Sequence, residues 1–528
     1  MPLTEENTEI IVAGPGVGKT TEILNRIEQA LNEGVPPLEI AFFSFSNTAV
    51  NEGLDRIVQR MKYTKNQFRY FKTLHAMAFS LLGLDSKQII SAKALRQFAQ
   101  ENDLRLGSTD HRTGVVRYQT PDSVLLSQID SARLMGMSIR DYFIKQHIDT
   151  VPIAVAEELA TKYQQFKIAN GFVDFTDMIL YANATDFETP HFQYMFIDEA
   201  QDLSAQQWKF VDKLADNVDN VVIVGDEKQA IAEFAGADVD SFLSLKGKIS
   251  TLDKSFRVPR KIYSLARKVE KHMIKTRNAM WYPRAKEFRE ETNGEVIRVS
   301  NIPIREMAHG TWLLLTRTNS QLEEFKTYLM QYCDTLPAFF TIDGQPPIDT
   351  DVFKAIQIFE IMNYSSKVTK YDIITISEED TPAMAKKKMG YVLLLKKFMS
   401  SRAPGKAELD TVFMHRFNYR SWFDAFDRIP IIEKKYINTI KDAYINNPDS
   451  FNKANIRLST IHSAKGMEAD NVILYTVLTK RVYEDWVQYK ETNDTEAKVL
   501  FVGITRAKKR LYLLGNRRAQ YSYKEMLE

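Results

Sequence analysis

The stretch EIIVA (9–13) runs directly into GPGVGKTT (14–21), and this junction constrains the chain more than any other part of it. A short apolar run reads as a buried parallel strand. Glycines at 14, 16 and 18 make a turn in which backbone N–H groups face outward. Ile23, Leu24, Ile27 and Leu31 then repeat with helical spacing. A strand, a glycine-rich turn and a helix in this order form a phosphate cradle, because the helix N-terminus adds partial positive charge to the N–H groups of the turn. The spacing is that of a Walker A loop, with Ala13 in the first glycine position and Gly14, Gly16 and Gly18 lining it. Lys19 is set to reach the β- and γ-phosphates, Thr20 to ligate Mg²⁺, and Thr21 stands beside them.

Two further apolar runs end in groups suited to the same chemistry. In FIDEAQD (196–202), Asp198 is placed to hold Mg²⁺ and Glu199 to act as base or to position the attacking water. In VGDEKQ (224–229), Gln229 forms the polar tip of another strand candidate, where it can hydrogen-bond the γ-phosphate or the water.

The strand candidates EIIVA, IAFFSF (40–45), YMFIDEAQ (194–201) and NVVIVGDEKQ (220–229) alternate with helical patterns, which predicts a parallel α/β domain. A second set follows at TWLLLTRTN (311–319), NVILYTVL (471–478) and RLYLLG (510–515). Residues 86–175 and 350–450 are helical by pattern and interrupt the two sets. The expected fold class is therefore α/β, two parallel-sheet domains each carrying a mostly helical insertion. With 528 residues the chain is too long for one core.

Composition narrows the partners. Net charge is +2, from 70 basic and 68 acidic residues, so affinity for nucleic acid has to come from local patches. A single cysteine, Cys333, excludes internal disulfides and thiolate metal clusters. The acidic start MPLTEENTEI lacks the pattern of a signal peptide, and no apolar run is long enough to span a membrane. The expectation is a soluble, cytoplasmic protein.

The order of motifs resembles the superfamily 1 helicases of the UvrD/Rep type. The stretches that carry the resemblance are AGPGVGKT, FSFSNTAV (43–50), TLHAMAF (73–79), VDFTDMIL (173–180), FIDEAQD and VGDEKQAIAEFAGAD (224–238). LDKSFR (252–257), LLLTRTNSQ (313–321), LSTIHSAKGMEADNVIL (458–474) and LFVGITRAKKRL (500–511) complete the set. The resemblance implies two RecA-like P-loop motor domains with ATP in the cleft between them. It divides the chain into a first motor domain (1–85 and 176–260) with an insertion at 86–175, and a second (261–350 and 451–528) with an insertion at 351–450.

By the same resemblance Arg257 and Arg506 are arginine fingers. Read alone, the bases around Arg506 suggest only a solvated turn. Phe256 is expected to stack on the nucleotide base, and Glu468 to lie near the ribose or γ-phosphate unless it is merely a helix-end acid. Phe45, Asn47, His75 and Phe234 are implied to line the nucleic-acid track on the first domain, and Thr460 with His462 on the second. His75 reads equally well as a core histidine.

The implied activity is ATP- and Mg²⁺-dependent translocation on single-stranded DNA, 3′→5′, with duplex unwinding. The implied partners are single strands, strand–duplex junctions, and replication or repair proteins; the motor is expected to be a monomer. A translocase that strips proteins without unwinding, and a nucleotide-switched loading factor, are the rival readings.

Two departures from the family pattern carry expectations. No glutamine lies in the twelve residues before Ala13, where the family reads adenine, so ATP preference is expected to be weak. After Gln229 the family has aromatic, any residue, aromatic, Arg; here the residues are Ala232, Glu233, Phe234 and Ala235. One stacking ring and one arginine are missing, which predicts a softer grip on single strands.

Overall fold

The computed structural model describes residues 3–44, 47–107, 120–277, 279–285, 293–332, 334, 339–348, 431–490, 494–516 and 518–528. Packing divides the chain into two compact units. The first comprises Met1–Asn293, Glu484–Thr505 and Leu527; the second comprises Gly294–Tyr483, Arg506–Met526 and Glu528.

The first unit is built on a parallel sheet of β1 (Thr8–Ala13), β2 (Ile40–Phe43), β3 (Phe71–Lys72), β4 (Phe192–Ile197), β5 (Val218–Gly225) and β6 (Lys248–Leu252). The order is β3-β2-β4-β5-β1-β6. Strand β1 is held on both sides, with Ile11 opposite Val224 of β5 and Ser250 of β6. Alternate side chains supply two cores. Ile10, Val12, Phe43, Ile197 and Ile223 pack on one face, and Ile11, Phe42, Phe196, Val222 and Val224 on the other. A strand buried on both faces has to be apolar at nearly every position, which explains why these strands read as continuous runs.

Between β3 and β4 the chain forms helices, including Ala92–Glu101, Pro121–Leu134, Ile139–Lys145 and Ile153–Asn170. They enclose a core of their own from Phe98, Ile129, Tyr142, Phe143, Tyr163 and Phe166.

The second unit has a parallel sheet of β7 (Glu295–Val299), β8 (Trp312–Thr316), β9 (Phe340–Ile342), β10 (Ile456–Thr460), β11 (Ala469–Tyr475) and β12 (Ala507–Leu514). Its order is β7-β12-β11-β8-β10-β9. Both units thus have the parallel α/β architecture that the motifs imply.

The structure differs from the sequence reading in several places. The first unit extends to Asn293, past the boundary at 260, because the helix Arg260–Glu270 buries Ile262, Leu265, Ala266 and Val269 and packs on the helix Thr495–Ile504 of the same unit. Strand β5 stops at Gly225, so Gln229 sits not on a strand tip but in a 3₁₀ turn, Glu227–Gln229. Edge strands such as β3 and β6 were not legible, since β3 is two residues long and β6 is half-exposed. Residues 351–430 of the expected second insertion lie outside the described residues; its end is the helix Ile431–Asn446.

Candidate active site

The phosphate loop begins where β1 ends. Gly16 (φ 69°) and Gly18 (φ 84°) are in the left-handed region, which side chains with a Cβ rarely adopt. Gly18 caps the helix Lys19–Asn32 with no side-chain acceptor, leaving the first-turn N–H groups to face the loop. Space is a second reason for these glycines. A Cβ on Gly16 would lie 2.5 Å from Arg257 Cβ, and one on Gly14 would lie 2.7 Å from Cβ of the buried Trp281.

The two carboxylates come from the residues just after β4. Asp198 is buried, and Thr20 Oγ1 donates to its Oδ2 at 2.8 Å. Lys19 Nζ lies 3.5 Å from Glu199 Oε1. Burial and the adjacent Glu199 charge push the Asp198 carboxyl up to about 6. Glu199 itself has a left-handed backbone (φ 51°), uncommon outside glycine and the kind of strain that clusters at functional sites. Its N–H donates to Asp198 Oδ1 at 2.9 Å, so the turn is stabilised by the acid it follows.

Two residues without a role in the sequence reading connect these acids to Gln229. Gln201 is fully buried; its Nε2 donates to Glu199 Oε2 at 2.6 Å and its Oε1 accepts the Asp226 N–H at 2.9 Å. Gln229 Nε2 in turn donates to Asp226 Oδ2 at 2.5 Å. A continuous hydrogen-bonded path therefore runs Glu199–Gln201–Asp226–Gln229. Gln201 stands inside the quoted FIDEAQD, so the signal was present but unspecific.

The segment Ser255-Phe256-Arg257 is fastened to the phosphate loop. Ser255 Oγ donates to the Pro15 carbonyl at 2.8 Å, and the Phe256 N–H donates to the Gly16 carbonyl at 2.9 Å. The Phe256 ring, half-exposed, passes 3.5 Å from where a Cβ on Gly18 would stand. The structure thus brings Lys19, Thr20, Asp198, Glu199, Phe256 and Arg257 to one loop. Thr20 and Asp198 converge as hard oxygen donors, a set that fits Mg²⁺ completed by phosphate oxygens. Among the described residues no group of three or more His, Cys, Asp and Glu side chains forms a metal site.

Arg506 belongs to the second unit and is not in a solvated turn. It is 1% exposed, follows the helix Thr495–Ile504 and precedes β12. Its Nη1 donates to the Met467 carbonyl at 3.4 Å, and its own carbonyl accepts from Ala469 N. Glu468 pairs with Lys508.

The residues expected on the nucleic-acid track are placed as follows. Phe45 lies outside the described residues, as does the side chain of Asn47, whose backbone opens the helix Asn47–Arg60. His75 is half-buried, packs edge-to-face on Phe175 at 5.7 Å, and has its pKa lowered by burial. Phe175, 62% exposed, is an aromatic that the sequence reading passed over. Phe234 is 57% exposed on the turn Glu233–Ala235; its carbonyl accepts from Ser131 Oγ at 3.2 Å and from Tyr142 Oη at 3.4 Å.

In the second unit Thr460 is buried at the end of β10, and its hydroxyl accepts the Ser463 N–H at 3.2 Å. Burial, then the charges of Arg317 and Lys465, push His462 down to about 3. Both cations were missed: Arg317 reaches His462 only through the packing of the loops after β8 and β10, whereas Lys465 stands three residues along the same segment.

The UvrD/REP helicase N-terminal domain family matches residues 2–250, and the UvrD-like helicase C-terminal domain family matches residues 419–518. The chain is similar to the ATP-dependent DNA helicase PcrA of Leuconostoc citreum, 25% identical over 398 residues, which are 70% of this chain and 52% of that protein. It spans about half the length of that relative. It is 23% identical to the PcrA of Staphylococcus epidermidis and 22% identical to that of Staphylococcus aureus, in each case over 97% of this chain and 81% of the relative. Among the described residues no helix is long and apolar enough to cross a membrane. The chain belongs to the UvrD/Rep-like superfamily 1 helicase family.

Proposed function

We propose that this protein is an ATP-driven single-stranded DNA translocase and helicase that moves 3′→5′ and unwinds duplex DNA. The observation that carries the reading is the joining of both halves of a hydrolytic site, with Thr20 on Asp198 at 2.8 Å and Lys19 beside Glu199 at 3.5 Å. A module that only binds nucleotide has no need of a strained, hydrogen-bonded glutamate at that position.

Phosphoryl transfer is accelerated by positioning and by charge placed at the γ-phosphate. In this reading the N–H groups of residues 14–20 hold the phosphates and Lys19 neutralises the β- and γ-oxygens. Thr20 and Asp198 would hold Mg²⁺, which when bound spreads the phosphate charge. Glu199, oriented by Gln201, receives the proton of the attacking water. Gln229 reports the state of the γ-phosphate through Asp226. Phe256 stacks on the base, and Arg257 and Arg506 supply positive charge in the transition state. Phe234 and His75 on the first unit, and Thr460 and His462 on the second, are assigned to the strand. A monomer suffices for this cycle.

Steady-state ATP hydrolysis with and without single-stranded DNA tests the reading, followed by unwinding of a 3′-tailed duplex. Stimulation by strands together with unwinding is the expected result. Stimulation without unwinding leaves the protein-stripping translocase, and unstimulated hydrolysis leaves the nucleotide-switched loading factor.

A further inference from the structure

The helix Thr495–Ile504 packs entirely within the first unit and is buried along its whole length from Glu496 to Ile504. Two side chains one turn apart lead from it in two directions. Phe501 meets the Trp281 ring edge-to-face at 6.0 Å, and Trp281 closes over Gly14 of the phosphate loop. Lys498, with no exposed side-chain surface, lies 2.9 Å from Asp494 Oδ1 and 3.4 Å from Glu233 Oε1. Glu233 is the residue directly before the exposed Phe234.

The two carboxylates on Lys498 are not equivalent. Asp494 Oδ2 also accepts the N–H groups of Ile274 and Lys275, at 2.8 and 2.9 Å, so it is fixed to the body of the unit. Glu233 belongs to a three-residue turn whose Phe234 carbonyl accepts from the Ser131 and Tyr142 hydroxyls. Lys498 therefore ties that turn to the helix. A lysine taken wholly out of water has to be paired, and a pair of this kind resists sliding. The neighbouring positions, Ala232 and Ala235, have no long side chain to steady the turn.

We infer that the Glu233–Lys498 ion pair transmits strand contact at Phe234 to the phosphate loop, through the helix Thr495–Ile504 and Trp281, so that Lys498 is a positioning residue for strand-stimulated hydrolysis. The inference rests on the motor reading above.

Lys498→Met is a poor test, because it takes the buried ammonium from the Asp494 carboxylate and threatens folding. Glu233→Gln and Glu233→Lys are the better pair, since Lys498 keeps Asp494 in both. For each variant, ATP turnover is measured without DNA and at saturating oligo(dT), together with the oligo(dT) concentration giving half-stimulation and the melting temperature. Unstimulated turnover should stay at the wild-type value in both; the melting temperature should hold in Glu233→Gln and fall in Glu233→Lys, which sets a second cation beside the buried Lys498. Turnover at saturating strand should fall about 5-fold or more, within the usual range of inter-site coupling, and further for Lys than for Gln. Full stimulation retained in both variants overturns the inference. So does a parallel fall of both turnovers with the melting temperature, which marks a purely structural pair. A wild-type protein that DNA does not stimulate removes the motor reading itself, and the inference with it.

Discussion

Thr20 Oγ1 donates to Asp198 Oδ2 at 2.8 Å, joining the helix after β1 to the turn after β4 across 178 residues of sequence. The bond places a hydroxyl and a carboxylate where a hard cation and phosphate oxygens meet. Asp198→Asn keeps an acceptor for Thr20 but removes the charge. ATP turnover should fall at least ~100-fold, the scale on which one transition-state contact acts. The melting temperature should stay near the wild-type value, because relief of the repulsion between Asp198 and Glu199 offsets the loss of one of the two acceptor oxygens that serve Thr20 and the Glu199 N–H. Differential scanning fluorimetry beside a phosphate-release assay checks both; wild-type turnover would take Asp198 out of the mechanism.

Gly16 is required twice over, by its φ of 69° and by Arg257 Cβ standing 2.5 Å from where its own Cβ would be. Gly16→Ala should cost ~1–2 kcal/mol for the left-handed backbone. Pushing Arg257 aside adds ~1–3 kcal/mol of overpacking. A lower melting temperature and loss of turnover are expected together, while Gly34→Ala, with open space around it, should cost only the backbone part.

Arg506→Lys keeps the charge and most of the packing but loses the planar fork. If Arg506 acts on the γ-phosphate, turnover should drop by ~10³–10⁵, as for other arginine fingers, with nucleotide binding retained. Fluorescent-nucleotide titration and single-turnover hydrolysis separate the two quantities. Unchanged turnover would leave Arg506 as a packing residue of the Met467–Ala469 turn.

Phe234 is exposed with alanines at 232 and 235. Phe234→Ala should weaken single-strand binding by ~1–3 kcal/mol, the value of one base–aromatic stack. Ala232→Tyr should tighten it by restoring a second ring. Fluorescence anisotropy at fixed salt reads both; no change in either would move the strand elsewhere.

His462 carries a pH signature. Its folded pKa is lowered from 6.5 to about 3, so the fold favours the neutral ring. Its contribution to stability is present above pH 6.5 and is lost as pH falls towards 3, by at most ~1.4 kcal/mol per pH unit. The melting temperature of His462→Gln relative to wild type should be constant above pH 7 and rise steadily between pH 6 and 4. A flat difference over that range would contradict the buried, neutral ring.

Much of this site was legible in the sequence because its parts are local. The loop GPGVGKTT requires glycines at fixed offsets for its own dihedral angles, and FIDEAQD follows a strand that has to be apolar on both faces. Such requirements operate within a few residues and leave a mark wherever they occur. Phe175, Gln201, Asp226, Arg317 and Lys498 left no comparable mark. Each is an ordinary residue type made significant by a partner distant in the chain or on another element: Phe175 by His75, Gln201 by Asp226, Lys498 by Glu233. The same holds for Ser255, whose hydroxyl reaches the Pro15 carbonyl across 240 residues. Arg506 is the sharpest case. Four bases in five residues read as a solvated turn, and only the packing around β12 buries this one at 1% exposure while Lys508 turns to Glu468. The sequence by itself determined most of the buried central strands, the phosphate loop and the family, because backbone geometry and hydrophobic period are written residue by residue. Which polar side chains are buried, paired or aimed at the site was decided by tertiary structure, because that depends on how distant segments share the space excluded from water.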